Sequence, residues 1–353
     1  MSNPNQYKVV ITSDRYGAES AGLDRERNLL SRFPDLSVDV QGEPSSSEEE
    51  LIAIGHRADA ILVSTREAIT CQVCENMPQV KVISRYGVGL DNVDLQAATD
   101  NGIVVTHYPQ YCTSEVADHA MSLLLALNRR IVELDQDVRA GAWSRQGAAT
   151  TQILRGPVPA LRELTLGIVG FGRIGQAVAK RAAPFGLRLL VSDPYVPEDT
   201  VRSAGAELVP LNVLLEGSDL VTLHCPLTPE TRGIIGAAEL VRMKEQAALV
   251  NTARGPLIDL DALVAILKQR PTFRAALDVV YPEPLPAESP LGSMPNVILT
   301  PHSAYYSIQS VETVRNETFL AAIAVLRGVL PPTVANPDVL DRVSLAPDPL
   351  RPA

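Results

Sequence analysis

Arg254, Glu283 and His302 are the residues of this chain whose types and order point most directly to chemistry. An arginine can hold a carboxylate through two parallel hydrogen bonds, and a histidine exchanges a proton near neutral pH. A glutamate beside that histidine would stabilise the charged imidazole. Each residue alone could be a surface ion pair or a strand-end cap. Together, at three successive predicted strand ends, they favour a catalytic site.

The elements that must position these residues are the strands of a parallel sheet. Short apolar runs alternate with helical patterns along most of the chain, and that alternation is typical of crossover connections. Ligands of open α/β sheets bind at the carboxyl ends of the strands, which is where all three residues fall. The predicted strands are 9–11, 60–63, 80–83 and 103–105, then 165–170, 187–192, 220–224, 248–251, 275–279 and 297–300.

A glycine-rich turn predicts a dinucleotide site in the second half of the chain. The apolar strand 165–170 leads into Gly-Phe-Gly-Arg-Ile-Gly at 170–175, which opens a helix. The first glycine permits a tight turn, the second lets a pyrophosphate approach the backbone, and the third allows close helix packing. A glycine turn without a ligand is the alternative, and the strand–turn–helix context argues against it. The cofactor-binding residues expected here are Gly170, Gly172, Arg173, Ile174 and Gly175.

Asp193 ends the next predicted strand and indicates which dinucleotide binds. A carboxylate there can accept hydrogen bonds from the ribose hydroxyls but repels a 2′-phosphate. Residues 194–197 offer no compensating cation, and Arg202 is the first basic residue downstream. We therefore expect NAD rather than NADP.

One long helical pattern after Pro109 carries an apolar face over 117–138. A face of this length often packs against another subunit, which would give a homodimer, and burial within the same chain is an equal alternative. Gly156 and the prolines at 157 and 159 mark a linker before the second alternating half.

Composition excludes several classes of protein. The 353 residues carry a formal net charge of −10, so a nucleic acid is not expected as a partner. Four cysteines do not make a disulfide scaffold, and no apolar run reaches the length of a membrane span. We expect a cytoplasmic protein without a metal site, since the pair Cys71 and Cys74 has no second pair. His56, His107, His119 and His224 have no partner visible in the sequence, and core or surface positions are expected for them.

Over roughly residues 80–330, the sequence resembles the D-isomer-specific 2-hydroxyacid dehydrogenases. The matching motifs, in order, are Arg-Tyr-Gly-Val-Gly-Leu-Asp-Asn at 85–92, the glycine-rich turn, Asn-Thr-Ala-Arg-Gly at 251–255, the Asp278 and Glu283 segment, and Pro-His-Ser-Ala at 301–304. The resemblance implies an NAD-dependent oxidoreductase that interconverts a small 2-keto acid and a D-2-hydroxy acid.

The resemblance also implies a role for each matching residue. The catalytic residues would be Arg254, which orients the substrate, His302 as general acid/base, and Glu283 as its partner. The substrate would further contact Arg85, Gly87, Val88, Gly89 and Tyr305. The cofactor would be lined by Pro226, Thr231, Thr252 and Ala253, with Asp278 at the nicotinamide carboxamide.

The family architecture implies an α/β fold of two doubly wound parallel-sheet domains. A Rossmann NAD domain, 108–301, would be inserted in a discontinuous, flavodoxin-like substrate domain made of 1–107 and 302–335. A proline-rich tail, 336–353, would lie on the surface or be disordered.

Several branches of the family remain as alternatives. Segment 301–307 is nearest to the C-terminal-binding proteins, so an NADH-sensing corepressor-like binding protein is the main alternative, although those proteins usually carry Trp where Tyr305 stands. Phosphoglycerate dehydrogenases place an arginine about where Ser64 lies, and Arg66 could substitute for it. Formate or phosphite dehydrogenase is a further alternative, but Glu283 argues against the former, which usually carries Gln there.

Overall fold

The computed structural model describes residues 6–13, 22–45, 47–146 and 158–348. The chain forms two compact units, the first made of Met1–Tyr111 and Ser307–Ala353, the second of Cys112–Tyr306. Both boundaries lie a few residues beyond those that the resemblance implies. His302 therefore belongs to the second unit, and not to the substrate unit in which the expected boundaries placed it.

The first unit is built on a five-stranded parallel sheet of order β2-β1-β3-β4-β5. This is the flavodoxin-like order that the sequence analysis predicts. Its strands are β1 (Tyr7–Ile11), β2 (Val38–Gly42), β3 (Ala60–Val63), β4 (Val82–Arg85) and β5 (Val104–His107). Its helices are α1 (Asp24–Leu30), α2 (Glu48–Gly55), α3 (Cys71–Glu75), α4 (Leu95–Asp100) and, after the second unit, α13 (Ile308–Leu326).

The second unit is built on a seven-stranded parallel sheet of order β12-β11-β10-β9-β6-β7-β8, the Rossmann arrangement with an added strand. Its strands are β6 (Thr165–Val169), β7 (Arg188–Ser192), β8 (Glu207–Leu208), β9 (Leu220–Leu223), β10 (Ala248–Asn251), β11 (Arg274–Leu277) and β12 (Val297–Leu299). Its helices are α5 (Thr113–Arg129), α6 (Ile131–Arg139), α7 (Ala142–Gln146), α8 (Arg173–Ala182), α9 (Glu198–Ser203), α10 (Leu211–Gly217), α11 (Ala237–Arg242) and α12 (Leu260–Gln269).

Two edge strands, β2 and β8, are missing from the sequence-based prediction. An edge strand is paired on one side only and needs few apolar residues. In β2 only Val40 is buried, and β8 has two residues, neither of them buried. Neither strand therefore produces the apolar run by which the central strands are recognised.

The single long helix predicted after Pro109 is wrong, because the structure has two helices there. Arg130 lies between α5 and α6 with a φ of 54°, in the left-handed region, and this breaks the helix. The apolar face of α5, including Met121 and Leu124, packs into the core of its own unit, which is the alternative that the sequence analysis weighed equally with a subunit contact. Helix α6 buries no residue, and Ile131 and Val138 are exposed.

Residues 336–348 of the predicted tail are ordered: most of them are exposed, as a surface segment requires, but two of them anchor the segment in the first unit. Asn336 is buried, accepts a hydrogen bond from the backbone of Val105 and donates to the carbonyl of Ile103. Val339 is fully buried in the core beside α13. These contacts make the segment part of the first unit. Within the described residues, no helix is both long and apolar enough to cross a membrane.

Candidate active site and cofactor site

Two of the three glycines in the glycine-rich turn have no room for a side chain. Gly170 follows β6 with a φ of 88°, and a Cβ there would lie 2.5 Å from the backbone nitrogen of Cys225, just after β9. A Cβ on Gly175 would overlap the carbonyl oxygen of Gly170. Gly172, in contrast, is exposed and has open space where a Cβ would be. The turn therefore lies where the strand order reverses and presents bare backbone to a ligand.

Asp193 is fixed at the end of β7 by two backbone groups. Its Oδ2 accepts from the nitrogen of Phe171 at 2.7 Å, and its Oδ1 accepts from the nitrogen of Tyr195 at 2.9 Å. The carboxylate is half-buried, and each oxygen has a second lone pair. It can therefore still accept from the hydroxyls of a ribose, as the sequence analysis predicts.

Two buried polar atoms at this edge have no hydrogen-bond partner among the described residues: Nδ1 of His224 and Oγ1 of Thr252. These residues directly follow Leu223 and Asn251, which pair in the register of β9 and β10. Loss of solvation lowers the pKa of His224 to about 3, so its imidazole is neutral at physiological pH. Unpaired buried polar atoms are costly, and a dinucleotide rich in hydroxyl, amide and phosphate groups would satisfy them. The residues present fit such a cofactor.

Arg254 lies on a loop that hydrogen bonds of two side chains hold in shape, those of Asn251 and of Arg254 itself. The side-chain amide of Asn251 donates to the carbonyl of Arg254 at 2.8 Å, and its oxygen accepts from the nitrogen of Ala253. Nη1 of Arg254 donates to the carbonyl of Ala253 at 2.7 Å. A Cβ on Gly255 would overlap the backbone of Val280, so glycine lets this loop pack against the chain just before Glu283.

His302 and Glu283 are hydrogen-bonded, with Nδ1 of the imidazole 2.7 Å from Oε1 of the carboxylate. Both side chains keep partial access to solvent, at 22% and 37% exposed. Tyr305 packs edge-on against the imidazole, with ring centroids 6.2 Å apart. Because Nδ1 faces Glu283, Nε2 is the nitrogen that can exchange a proton with a substrate.

Asp278 holds the segment that carries His302. Its side chain is fully buried; Oδ1 accepts from the nitrogen of Ser303 at 2.8 Å and Oδ2 from that of Ala304 at 3.0 Å. Its backbone carbonyl accepts from the nitrogen of His302. Thr300 Oγ1 donates to Oδ1 at 2.6 Å. These are protein contacts, and the contact with a nicotinamide carboxamide stays a prediction.

His119, for which only a core or surface position was expected, belongs to this cluster. His119 lies on α5, and its Nε2 is 3.1 Å from Oγ1 of Thr300 and 3.7 Å from Oδ1 of Asp278. The two residues joined by the shorter contact are 181 positions apart in the chain. No local pattern could have signalled this contact.

The residues predicted to contact the substrate from segment 85–89 belong to the first unit, where Arg85 ends β4 and the others follow it. Arg85 is buried, and its Nη1 donates to the carbonyl of Tyr86 at 2.6 Å. Gly87 has a φ of 129°, and a Cβ on it would overlap the Arg85 guanidinium. His107 contacts the carbonyl of Val88 through Nδ1 at 2.9 Å. Arg85 thus supports the loop, and substrate contacts by Arg85, Gly87, Val88 and Gly89 stay a prediction.

Comparison with known proteins identifies the family. The model of the D-isomer-specific 2-hydroxyacid dehydrogenase NAD-binding domain matches residues 121–304. A glyoxylate reductase of Thermofilum pendens is 40% identical over 89% of this chain and 91% of its own. The chain belongs to the D-isomer-specific 2-hydroxyacid dehydrogenase family.

Solved structures agree with this assignment. The TT0316 protein of Thermus thermophilus is 37% identical, with a TM-score of 0.79, over 93% of this chain and 99% of its own. D-lactate dehydrogenase of Aquifex aeolicus, complexed with NAD and lactic acid, is 28% identical with a TM-score of 0.76, over 98% and 100% of the two chains. As a dehydrogenase of this family, the protein binds NAD.

Two further predicted cofactor residues, Pro226 and Thr231, lie in the turn after β9. Oγ1 of Thr231 accepts from the nitrogen of Thr228 and donates to the carbonyl of Pro226, both at 2.7 Å, which closes a tight loop. Arg173 is exposed at the start of α8. Among the described residues, no group of three or more His, Cys, Asp or Glu side chains could hold a metal ion.

Proposed function

We propose that this dehydrogenase interconverts a small 2-keto acid and the corresponding D-2-hydroxy acid, with His302 as the general acid/base. The observation that carries the proposal is the hydrogen bond between His302 and Glu283, at 2.7 Å. It lies at the carboxyl ends of β11 and β12, in the same unit as the glycine-rich turn. A proton carrier and a dinucleotide site on one sheet are what a hydroxy-acid dehydrogenase requires.

The proton path follows from the side chains. Bound NADH would supply the hydride that reduces the carbonyl carbon. The imidazolium of His302 donates its Nε2 proton to the carbonyl oxygen and becomes neutral, while Nδ1 keeps its proton and its bond to Glu283. The Glu283 carboxylate stabilises the charged form that must be present before each reduction. In the oxidative direction, Nε2 takes the hydroxyl proton back.

Arg254 would hold the keto acid for this step. Its guanidinium donates from Nη1 to the Ala253 carbonyl, which ties it to the loop. A planar guanidinium has the geometry to bind a carboxylate through two parallel hydrogen bonds. A guanidinium directed at the keto oxygen also stabilises the negative charge that develops there.

Glyoxylate is the first substrate to test, because a relative 40% identical over most of the chain is a glyoxylate reductase. Position 64, where phosphoglycerate dehydrogenases place an arginine, offers no cation, because Ser64 is buried and its hydroxyl donates to Oε2 of Glu67 at 2.7 Å. Arg66, the alternative cation, is exposed two residues further on, so the 2-keto acid that corresponds to phosphoglycerate belongs on the panel as well. The corepressor-like alternative remains an outcome of the test below.

The test is a panel of 2-keto acids, headed by glyoxylate, with NADH and NADPH as separate reductants. We expect saturable oxidation of NADH with at least one small keto acid, and a chiral product of the D configuration from the larger ones. NADH binding measured by calorimetry, with no turnover on any member of the panel, would instead indicate a binding module and contradict the proposal.

We further propose a homodimer that uses the exposed apolar side chains of α6. Ile131, Val132 and Val138 are 55%, 38% and 42% exposed, and an exposed apolar cluster of this kind marks interaction surfaces. Light scattering at micromolar concentration should give twice the chain mass, and Ile131→Asp should lower it towards the monomer. Val241→Asp, at an apolar position that is 60% exposed on α11, is the matched control. A monomeric wild type would contradict the proposal.

A further inference from the structure

His119 is the one residue of the His302 cluster that comes from a distant helix. It lies on α5, whereas Asp278, Thr300 and His302 lie at the ends of β11 and β12. Its side chain is 25% exposed, so the imidazole is mostly enclosed by its own unit. The remainder of α5 is anchored in the core through residues such as Ala120 and Leu123. Helix α5 therefore holds His119 in place, and His119 can in turn orient the segment 300–304 that follows β12.

The direction of each hydrogen bond follows from the number of protons available. A threonine hydroxyl has one proton, and Thr300 gives it to Oδ1 of Asp278 at 2.6 Å. Oγ1 of Thr300 can then only accept from His119, so Nε2 of His119 must carry a proton. The chain of donors runs from His119 through Thr300 to the carboxylate of Asp278.

The carboxylate at the end of that chain determines the backbone that carries His302. Asp278 accepts from the nitrogens of Ser303 and Ala304 through its side chain and from that of His302 through its carbonyl. His302 itself has a φ of 52°, a left-handed conformation that is unfavourable for a residue other than glycine. Such a conformation persists only where the surroundings hold it, and here the holding bonds converge on Asp278.

We propose that His119 is a positioning residue for His302, acting through Thr300 and Asp278. Its Nε2–H group orients the Thr300 hydroxyl, the hydroxyl orients the Asp278 carboxylate, and the carboxylate fixes the backbone amides beside His302. The effect on catalysis rests on the function proposed above. The effect on the backbone does not, because it concerns hydrogen bonds that exist without substrate.

Three single variants separate this role from packing. His119→Leu keeps the bulk and removes the donor, while His119→Gln supplies an amide N–H group near the position of Nε2. His56→Leu, at an exposed histidine of the first unit, is the matched control. Hydrogen exchange of the Ser303 and Ala304 amides should be about tenfold faster in His119→Leu, near the wild-type rate in His119→Gln, and unchanged in His56→Leu.

Turnover should follow the same order. We expect His119→Leu to lower kcat for keto-acid reduction about tenfold, because a displaced acid group loses its alignment, with the Kd of NADH unchanged. His119→Gln should recover most of that loss. If His119 acted only by packing, the kcat of His119→Gln would be no higher than that of His119→Leu.

A double-variant cycle with Thr300→Val tests whether the effect passes through Thr300. If it does, His119→Leu combined with Thr300→Val should lower kcat no further than the more severe single variant. Additive losses, or normal amide exchange in His119→Leu, would overturn the inference. A wild type without keto-acid turnover, together with the expected exchange pattern, would instead reject the proposed function and leave the positioning role standing.

Discussion

Each unit of this dehydrogenase has a buried carboxylate that fixes a loop at the carboxyl edge of its sheet. In the first unit, Oε1 of Glu67 accepts from the Thr12 hydroxyl at 2.9 Å, and Oε2 accepts from the nitrogen and hydroxyl of Ser64 at 2.9 and 2.7 Å. In the second unit, Asp278 accepts from the Thr300 hydroxyl and from the nitrogens of Ser303 and Ala304.

The two carboxylates perform the same structural task with different consequences. Each carboxylate is buried and accepts three hydrogen bonds within the chain, so its first role is to hold its loop. Only the loop of the second unit presents a proton carrier, His302, paired with Glu283. A buried carboxylate at this edge is therefore not itself a sign of catalysis. The chemistry depends on which side chain the loop presents.

The largest expected difference between the two carboxylates is in turnover. Asp278→Asn replaces one acceptor oxygen by an N–H₂ group that must face a donor, so the loop around His302 shifts and kcat should fall about 10²-fold. Glu67→Gln makes the same change in the first unit. Both variants should lower the free energy of unfolding by about 1–3 kcal/mol. Glu67→Gln should nevertheless leave kcat at saturating keto acid within about twofold of the wild type.

Steady-state kinetics and urea unfolding on the same two variants check this prediction. Equal losses of kcat would show that the loops contribute alike and would remove the distinction between the units.

A third carboxylate, Asp193, differs from these two because it is only half-buried and keeps lone pairs for a ligand. The wild type should prefer NADH to NADPH by at least about tenfold in kcat/KM, since the carboxylate repels a 2′-phosphate. Asp193→Ala should narrow that preference, chiefly by a higher KM for NADH. Similar kcat/KM values for the two reductants in the wild type would count against this assignment.

The smallest expected effect concerns His224. Its Nδ1 is buried without a partner among the described residues, whereas the carboxylates compared above all accept hydrogen bonds within the chain. Its pKa is lowered from 6.5 to about 3, so between these values the unfolded chain binds a proton that the folded chain does not. Stability is therefore lost as pH falls from 6.5 towards 3, and is fully present above 6.5. His224→Asn should lose less stability than the wild type on acidification.

Urea unfolding of the apoprotein at about pH 7 and about pH 5 measures this difference, which should be on the order of 1–2 kcal/mol. His56→Asn, at an exposed position, is the control. Parallel losses in all three proteins would mean that His224 is protonated in the folded state.

Parts of the site that depend on local sequence could be predicted, and parts that depend on long-range side-chain contacts could not. The turn at 170–175 is recognisable because backbone geometry restricts it to glycine at fixed spacing. The pairing of Glu283 with His302 follows from strand ends that share one edge. His119, in contrast, reaches Thr300 only through the packing of α5, and a continuous apolar pattern hides the break at Arg130.

The fold shows the same division. Central strands are buried on both faces and produce apolar runs, so their positions were predictable, while the doubly wound arrangement followed from the family resemblance. The edge strands β2 and β8 and the packed segment around Asn336 carry mixed polarity. They are held by partners elsewhere in the chain, which no local pattern reveals.

The most direct test of the account is the turnover of His302→Ala with NADH and the best keto acid of the panel, beside Glu283→Gln and the wild type. Proton transfer acts in the transition state, so His302→Ala should lower kcat by roughly 10²–10⁴-fold while the Kd of NADH and the unfolding midpoint stay near wild type. Glu283→Gln should lose less, because the imidazole remains. A folded, NADH-binding His302→Ala enzyme with near-normal kcat would contradict the role of His302 as the acid/base.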